Sequence, residues 1–272
     1  MNKFFLLGFA CIIATALQAQ DSTYKSPYQS NRNANKKARL NRMVKMEEEG
    51  ELIFNKQNIF GIKLATDGYG VFFEKGYFKT PRKTNLLQFE LNEKKSPKEY
   101  RIGSGDFFGP TEILDKLNNF YQFKVSVGQQ RLIGGKGNKN GVSVTALYTG
   151  GVSLGLQKPY YYNVQDLNDP SGTVYQKTWL QYIQLRNDTS NAYVTTGAAG
   201  FTTGWGHVSV KPGLAAKAAL RFDYGRFNTS VTAIEAGVNA EFYFSKIAQV
   251  YNVPYKNFFF NSYVTIMFGS RK

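Results

Sequence analysis

The chain has 272 residues, a formal net charge of +15 and an aromatic content of 15%. Its one cysteine, Cys11, lies in an apolar N-terminal stretch, so the rest of the chain has no thiol for disulfide or nucleophilic chemistry. No later stretch approaches the roughly 18 apolar residues of a spanning helix. The positive charge favours an anionic neighbour such as lipid head groups, an acidic protein or a glycan.

Residues 1–19 have the pattern of a secretory signal peptide. Lys3 precedes an apolar run over residues 4–17, and Ala19 is the small residue expected before the cleavage site. Cleavage as a lipoprotein at Cys11 is the alternative, although the three residues before it match a lipobox poorly. Because export separates the chain from chromosomes and ribosomes, the basic charge does not predict a nucleic-acid partner.

The next segment, residues 20–58, is polar and lacks the alternation of a strand. A helix near 34–49 would bury only a narrow apolar stripe, so the segment is predicted to be helical or disordered and to lie on a surface in the periplasm. Its cations form a run without an acid, which fits docking to an acidic protein or to anionic inner-leaflet lipid. The predicted docking residues are Lys36, Lys37, Arg39, Arg42 and Lys45.

From residue 59 onward, apolar and polar residues alternate with the period of β-strands. Connections are short after the second, fourth and sixth strands and long after the third and fifth. Outer-membrane barrels have short periplasmic turns and longer outer loops, so this spacing predicts that residues 59–270 form such a barrel with both termini in the periplasm. The expected strands lie near 59–65, 71–76, 87–92, 121–128, 142–157, 213–222, 230–246 and 258–268.

Two outer connections are predicted to be long loops. The first covers residues 94–119, with a short helix expected at 111–118. The second, residues 158–206, is the longer one, and its size leaves recognition at the cell surface open. The predicted class is all-β, an eight-stranded antiparallel transmembrane β-barrel preceded by the short periplasmic segment.

The polar faces of the strands separate a membrane barrel from a soluble β-sandwich, which also alternates. An eight-stranded barrel has room inside for side chains but not for a water column, so charges there have to be paired. The predicted inward positions carry equal numbers of cations and anions, as such an interior requires. They are Lys63, Lys124, Lys217, Arg221, Glu74, Glu90, Glu235 and Glu241.

Four sequence features together resemble a known family. They are the signal ending in "QAQ", the eight alternating strands, the hairpin "GIKLATDGYGVFFEKG" at residues 61–76 and the Phe-rich last strand. They resemble small outer-membrane β-barrels of Bacteroidota, related in architecture to OmpA/OmpX and PorT-like barrels. The resemblance covers residues 59–269 and implies a monomeric barrel in the outer membrane. It implies no single activity, since such barrels serve as anchors, adhesins, lipid enzymes and subunits of secretion or assembly machines.

Catalytic chemistry has one candidate, His207, because the chain has no other histidine. Asp166, Asp169, Asp188 or Ser209 would have to lie within hydrogen-bond reach of it. Metal ligands do not cluster in the sequence, and the glycine pairs lack the helix of a phosphate loop, so no cofactor is predicted. A pore is not expected from eight strands with a filled interior.

The sequence therefore predicts a non-enzymatic integral outer-membrane barrel. Its expected role is structural, or that of an accessory subunit of a complex for protein assembly or secretion. The expected partners are outer-membrane lipid and other outer-membrane or periplasmic proteins. Two alternatives stay open: a lipid-active enzyme that uses His207, and a surface-recognition barrel that acts through residues 158–206.

Overall fold

The part of the chain that can be described is an antiparallel β-barrel with additional folded structure at one end, which is called the outer end after the predicted orientation. A computed structural model describes residues 55–80, 82–103, 111–136, 141–187, 192–225 and 229–272. The predicted signal peptide, the predicted helix near 34–49 and the five docking cations lie outside the described residues. Within them, no helix is long and apolar enough to cross a membrane.

The described elements are mostly strands. The strands are β1 (Lys56–Ala65), β2 (Gly68–Thr80), β3 (Lys83–Lys94), β4 (Tyr100–Gly103), β5 (Thr111–Leu114), β6 (Asn118–Gly134), β7 (Ser143–Pro159), β8 (Tyr161–Asp166), β9 (Val174–Thr178), β10 (Tyr193–Ala198), β11 (Ser209–Asp223), β12 (Ser230–Ile247) and β13 (Lys256–Arg271). The helices are α1 (Trp179–Asn187) and a single 3₁₀ turn (Trp205–His207).

Eight of these strands form a closed ring in the order β1-β2-β3-β6-β7-β11-β12-β13. The ring closes between β13 and β1, whose pairing runs from Gln57 opposite Arg271 to Ala65 opposite Tyr263. Closure satisfies the backbone hydrogen bonds of the paired strand edges, which hydrocarbon would leave without partners. The predicted eight-stranded antiparallel barrel is therefore confirmed as the fold.

Side chains alternate strictly between the inside and the outside of the ring. On β12, Glu235 is fully buried, whereas its neighbour Ile234 is 40% exposed. The outward positions form an apolar surface of a kind that soluble monomers rarely show, and it is the surface that a membrane barrel turns to acyl chains. Its most exposed members include Phe60, Ile62, Leu64, Leu91, Val127, Val152, Leu214, Phe260, Ile266 and Phe268.

The first strand is longer than the alternation indicates. β1 begins at Lys56, whereas the sequence predicts a start at residue 59, and it has ten residues. That length lies within the roughly nine to eleven residues that a tilted strand needs to cross a bilayer. β1 is therefore long enough to cross the bilayer.

The helix predicted at 111–118 is wrong. Residues 111–114 form strand β5, which pairs with β4 from Tyr100 opposite Leu114 to Gly103 opposite Thr111. Ile113 is buried, and its backbone N–H donates to the hydroxyl of Tyr160 at 3.2 Å. Contacts with a distant strand therefore hold an extended conformation that local sequence does not reveal.

The long loop predicted at 158–206 is a folded structure. β8 lies between β9 and β10 in a three-stranded sheet, and α1 follows β9. Tyr162, Val164, Trp179 and Tyr182 form a small buried cluster between the sheet and the helix. We call strands β4, β5 and β8–β10 together with α1 the outer cap.

The connection 248–255 reaches across the outer mouth of the barrel. β12 and β13 lie on the opposite side of the ring from β6. Even so, the carbonyl of Gln249 accepts from Leu117 N–H at 2.9 Å, and Tyr251 N–H donates to the carbonyl of Asp115 at 2.7 Å. These bonds join the residues before β6 to the far wall, so the mouth is bridged.

Arginine substitutions on β13 test whether the outward-pointing side chains of the barrel meet lipid or water. Val264 points outward near the middle of this strand and is 49% exposed, and Ser270 points outward near its end. In lipid vesicles, Val264→Arg should lower the free energy of unfolding by about 2–4 kcal/mol and Ser270→Arg by about 0–1 kcal/mol, because the cost follows depth in the bilayer. Chemical unfolding measures both. Equally small effects would indicate that the face meets water.

Candidate functional site

The centre of the barrel is occupied by Arg221, which projects inward from β11 and is 1% exposed. Its guanidinium meets two carboxylates from different strands. Nη1 and Nη2 donate to the two oxygens of Glu74 at 2.8 and 2.7 Å, and Nε and Nη2 donate to Glu235 Oε2 at 3.0 and 2.8 Å. This forked geometry is the strongest form of the arginine–carboxylate contact. It joins β2, β11 and β12 across the interior.

Lys217 extends this cluster toward the outer side. Its ammonium donates to Gln88 Oε1 at 2.5 Å and to Glu90 Oε1 at 3.1 Å, and it lies 3.6 Å from Glu235 Oε1. The hydroxyl of Tyr263 donates to the same Glu235 oxygen at 2.6 Å. Each oxygen of Glu235 therefore faces a donor, as a buried carboxylate requires.

Glu90 and Glu241 organise the outer half of the interior. Glu90 Oε2 lies 2.9 Å from the ammonium of Lys63 and 3.5 Å from that of Lys124. Lys124 also contacts Glu241 Oε1 at 2.5 Å, and Lys94 contacts Glu241 Oε2 at 2.9 Å. Anions and cations therefore alternate along the barrel axis, and each is within contact distance of the opposite sign.

The structure brings together all eight side chains that the sequence places in the barrel interior. None is more than 8% exposed, and each makes an ion pair with another member of the set. Burial removes the hydration of every one of these charges, so the pairing compensates a cost that a lone charge would impose on the fold.

Further ions at both ends of the interior were missed by the sequence reasoning. Asp67 joins Lys94 at 2.5 Å at the outer end, and Asp223 joins Arg271 at 2.5 Å at the other end, with Lys136 3.9 Å from Asp223. The alternation of side chains along the strands indicates two of these ions. Lys94 has the parity of Glu90, and Asp223 has the parity of Lys217 and Arg221, so carrying the alternation to the strand ends would have found them.

Buried amides link the charged groups along the barrel axis. Gln57 donates to Glu74 Oε1 and to Gln130 Oε1, both at 3.3 Å. Gln122 donates to Glu241 Oε2 at 2.8 Å and to the Tyr243 hydroxyl at 2.7 Å. Because an amide can both donate and accept, such side chains extend a network without adding charge.

His207 lies apart from the acids that a catalytic site would need. It is exposed in the 3₁₀ turn, and among the described residues its side chain contacts the Tyr161 hydroxyl, 3.5 Å from Nδ1. Asp166 accepts the backbone N–H of Asn168 in its own turn, and Asp169 accepts the backbone N–H of Ser171 in the same way. Asp188 lies outside the described residues, and Ser209 makes no described contact with the ring.

No group of three or more potential metal ligands occurs in the described ranges. The expectation that no cofactor is used stays a prediction.

The outer cap rests on a buried tyrosine. Tyr162 accepts the N–H of Lys116 at 2.8 Å, and its hydroxyl donates to the carbonyl of Ile113 at 2.6 Å. Burial raises the pKa of this hydroxyl well above its usual range. Burial also lowers the pKa of the Lys116 ammonium, which contacts Glu99 at 2.9 Å. Polar contacts thus join the three-stranded sheet of the cap to residues 113–116, which lead into β6.

An aromatic cluster lies outside the barrel near the outer ends of β6 and β7. Tyr121 stacks on Trp205 with ring centres 5.7 Å apart, and Phe201 meets both rings edge-on. The Lys158 ammonium donates to the Phe201 carbonyl at 2.8 Å and lies 5.4 Å from the Trp205 ring centre. Aromatic side chains with a nearby cation are typical of the border between acyl chains and head groups.

Comparison with known proteins finds small outer-membrane barrels. No family model and no curated relative matches the chain. Among solved structures, the chain is similar to Ail, the attachment invasion locus protein of Yersinia pestis, crystallised with the heparin analogue sucrose octasulfate. Identity is 12% over 81% of this chain and 100% of that one, with a TM-score of 0.37.

Two further structures are similar at the same level. Neisserial surface protein A matches 80% of this chain and 95% of its own at 9% identity and a TM-score of 0.37. The N-terminal barrel domain of Pseudomonas aeruginosa OprF matches 79% and 98% at 10% identity and a TM-score of 0.35. These matches are likenesses of fold. The Bacteroidota and PorT-like assignment stays a prediction.

Removing the central guanidinium tests the interior network. Arg221→Met leaves the buried carboxylates of Glu74 and Glu235 without their main partner, so the free energy of unfolding should fall by about 3–5 kcal/mol. Loss of the compact, heat-modifiable form on unboiled gels and chemical unfolding would both report it. Replacing both carboxylates by Gln in the same chain should recover much of the loss.

The matched control is Arg131→Met. Arg131 is exposed and donates to the Tyr148 hydroxyl at 3.2 Å, so its loss should change stability by no more than about 0.5 kcal/mol. Equal effects of the two arginine substitutions would contradict the network.

Proposed function

We propose that this protein is a non-enzymatic integral outer-membrane barrel that serves as a structural or accessory subunit of a complex for protein assembly or secretion. The observation that carries the proposal is the chain of paired charges through the interior, from Asp67 at one end to Arg271 at the other. The network plugs the barrel, so passage of solutes is not its task. Its work is therefore done by the surfaces at the two ends.

The orientation follows from loop length. The turns after β2, β6 and β11 are short. β1 begins and β13 ends at the same end of the barrel as these turns, whereas the outer cap lies at the other end. Short turns on the periplasmic side and long loops outside are the rule for outer-membrane barrels. With this orientation, the proposal assigns the basic segment 20–58 to the periplasm.

A periplasmic docking role is supported by the charge of that segment. Five cations follow one another without an acid, and they precede a barrel whose own interior charges are already paired. Cations attract an acidic protein surface over about one Debye length, roughly 8 Å at physiological salt. We infer that this segment selects the partner.

Charge reversal in the segment tests the docking proposal. The variant carries Lys36→Glu, Lys37→Glu, Arg39→Glu, Arg42→Glu and Lys45→Glu. The barrel should still insert, because its strands are unchanged, but proteins cross-linked to it in native envelopes should no longer co-purify. The control swaps Lys for Arg and Arg for Lys at the same five positions and should retain every partner. Unchanged co-purification by the charge-reversed chain would refute docking.

Recognition at the cell surface is the second candidate, favoured by the outer cap having its own buried cluster. Gln157 pairs with Ser209 on neighbouring strands, so a short turn can replace residues 160–208 without opening the ring. If the cap is the recognition element, this deletion removes the captured partner and charge reversal in the segment does not. The same cross-linking experiment therefore distinguishes the two functions.

A lipid-active enzyme centred on His207 receives no support from its surroundings. The ring is exposed and its described contact is with a tyrosine hydroxyl at 3.5 Å, a partner that does not act as an orienting acid. We propose that His207→Ala leaves the cellular role intact. Loss of function with normal insertion in that variant would revive the enzymatic alternative.

A further inference from the structure

A cavity of about 500 Å³ lies at the outer end of the barrel, beside the start of β13. Its walls come from three separate parts of the chain, residues 66–67, 94–98 and 247–260. Gln249 spans the cavity's edge, because its side-chain amide donates to the carbonyl of Lys94 at 3.1 Å. Three connections of the outer rim therefore shape a single recess.

The recess coincides with a gap in the barrel wall. β1 ends at Ala65, opposite Tyr263, while β13 continues outward to Lys256. Beyond Ser262, whose carbonyl accepts Thr66 N–H at 3.0 Å, the described residues pair β13 with β12 alone. The outer part of β13 thus has one free edge, and the cavity lies against it.

The gap connects the cavity to the lipid-facing surface. Phe259 points inward and packs against Phe120 and Tyr243. Its neighbours Phe258 and Phe260 point outward, are 53% and 63% exposed, and also line the cavity. A ligand in the recess would therefore meet acyl chains on one side and the rim of the barrel on the other.

The polar side of the cavity carries three lysines without a carboxylate partner. Lys95, Lys98 and Lys256 line it, and none of them has a carboxylate within ion-pair distance in the described ranges. The Lys95 ammonium lies 4.8 Å from the centre of the Tyr69 ring, a contact that leaves its charge without a counter-ion. The acid that lines it, Asp67, is already held by Lys94 at 2.5 Å and by the Asn261 amide at 3.1 Å. Three cations therefore remain for an anion that approaches from the membrane.

Asp67 adds a second polar feature. Its side chain lines the recess and is 20% exposed, and its Oδ2 contacts both Lys94 and the Asn261 amide. A carboxylate has about four acceptor sites, so a ligand hydroxyl or amide in the recess would find an acceptor that these two partners leave open. The recess thus combines cations for a phosphate, an acceptor for a sugar or amide donor, and an apolar opening.

We propose that this cavity binds the phosphorylated sugar headgroup of lipid A, the membrane anchor of lipopolysaccharide. Its phosphate lies against Lys95, Lys98 and Lys256, a hydroxyl or amide donates to Asp67, and the acyl chains run along Phe258 and Phe260. The proposal rests on the outer-membrane location and orientation inferred above, which put this rim in the outer leaflet. A plain phospholipid offers fewer donors for Asp67, and free phosphate offers nothing for the aromatic opening.

Binding of purified lipid A to the full chain in detergent tests the site. The variant Lys95→Gln, Lys98→Gln, Lys256→Gln should bind phosphorylated lipid A about tenfold or more weakly than the unaltered chain, because each cation near a headgroup attracts it. The control Lys177→Gln, Lys211→Gln, Lys246→Gln removes three outer-side lysines that do not line the cavity and should bind as the unaltered chain does. Dephosphorylated lipid A should bind the unaltered chain as weakly as phosphorylated lipid A binds the cavity variant.

Three results would overturn the proposal. They are equal affinities of the two triple variants, equal affinities for phosphorylated and dephosphorylated lipid A, and equally effective competition by phosphatidylglycerol. Heat-modifiable mobility on unboiled gels confirms that each variant is folded. Membrane fractionation of the unaltered chain tests the location separately: if the chain is not in the outer membrane, the proposed function fails, whatever the affinity for lipid A.

Discussion

The fold depends on one electrostatic constraint: a charge inside a closed eight-stranded ring has no water and has to meet its opposite. Arg221 between Glu74 and Glu235 satisfies this constraint at the centre, and lysine–glutamate contacts repeat it toward the outer rim. Because the paired groups come from different strands, the network holds the ring across its interior, while backbone hydrogen bonds hold it around its circumference. Losing one ion therefore affects several strands together.

Because paired charges lie along the interior, we propose that the protein acts through its two ends. The outer end is elaborate, with a three-stranded sheet, a hairpin, a helix and a bridged mouth. The opposite end has short turns, and β1 begins and β13 ends there. We propose that the protein contacts one class of partner on each side. In the proposed orientation, the lysine-lined recess beside β13 is a third surface, open to lipid.

Alternation was sufficient to predict the ring and the inward set, since parity along a strand decides which side chains share a face. It does not reveal which ions meet, because pairing depends on the stagger between strands. Residues 161–166 alternate in burial, but residues 174–178 do not. The third strand, residues 193–198, comes only after helix α1, so the sequence does not show that the three segments form one sheet. The recess could not be predicted from the sequence either, because three connections that are distant in the chain form it.

The most direct test of the inside-out arrangement is a nitroxide scan along β13 in lipid vesicles, with single cysteines in a chain that lacks residues 1–19. Labels at Val264, Ile266 and Phe268 should collide with oxygen dissolved in the acyl chains and should be shielded from a water-soluble nickel reagent. Labels at Thr265 and Met267, whose side chains are 1% and 0% exposed, should be shielded from both. Free access of the nickel reagent to the first three positions would contradict the account.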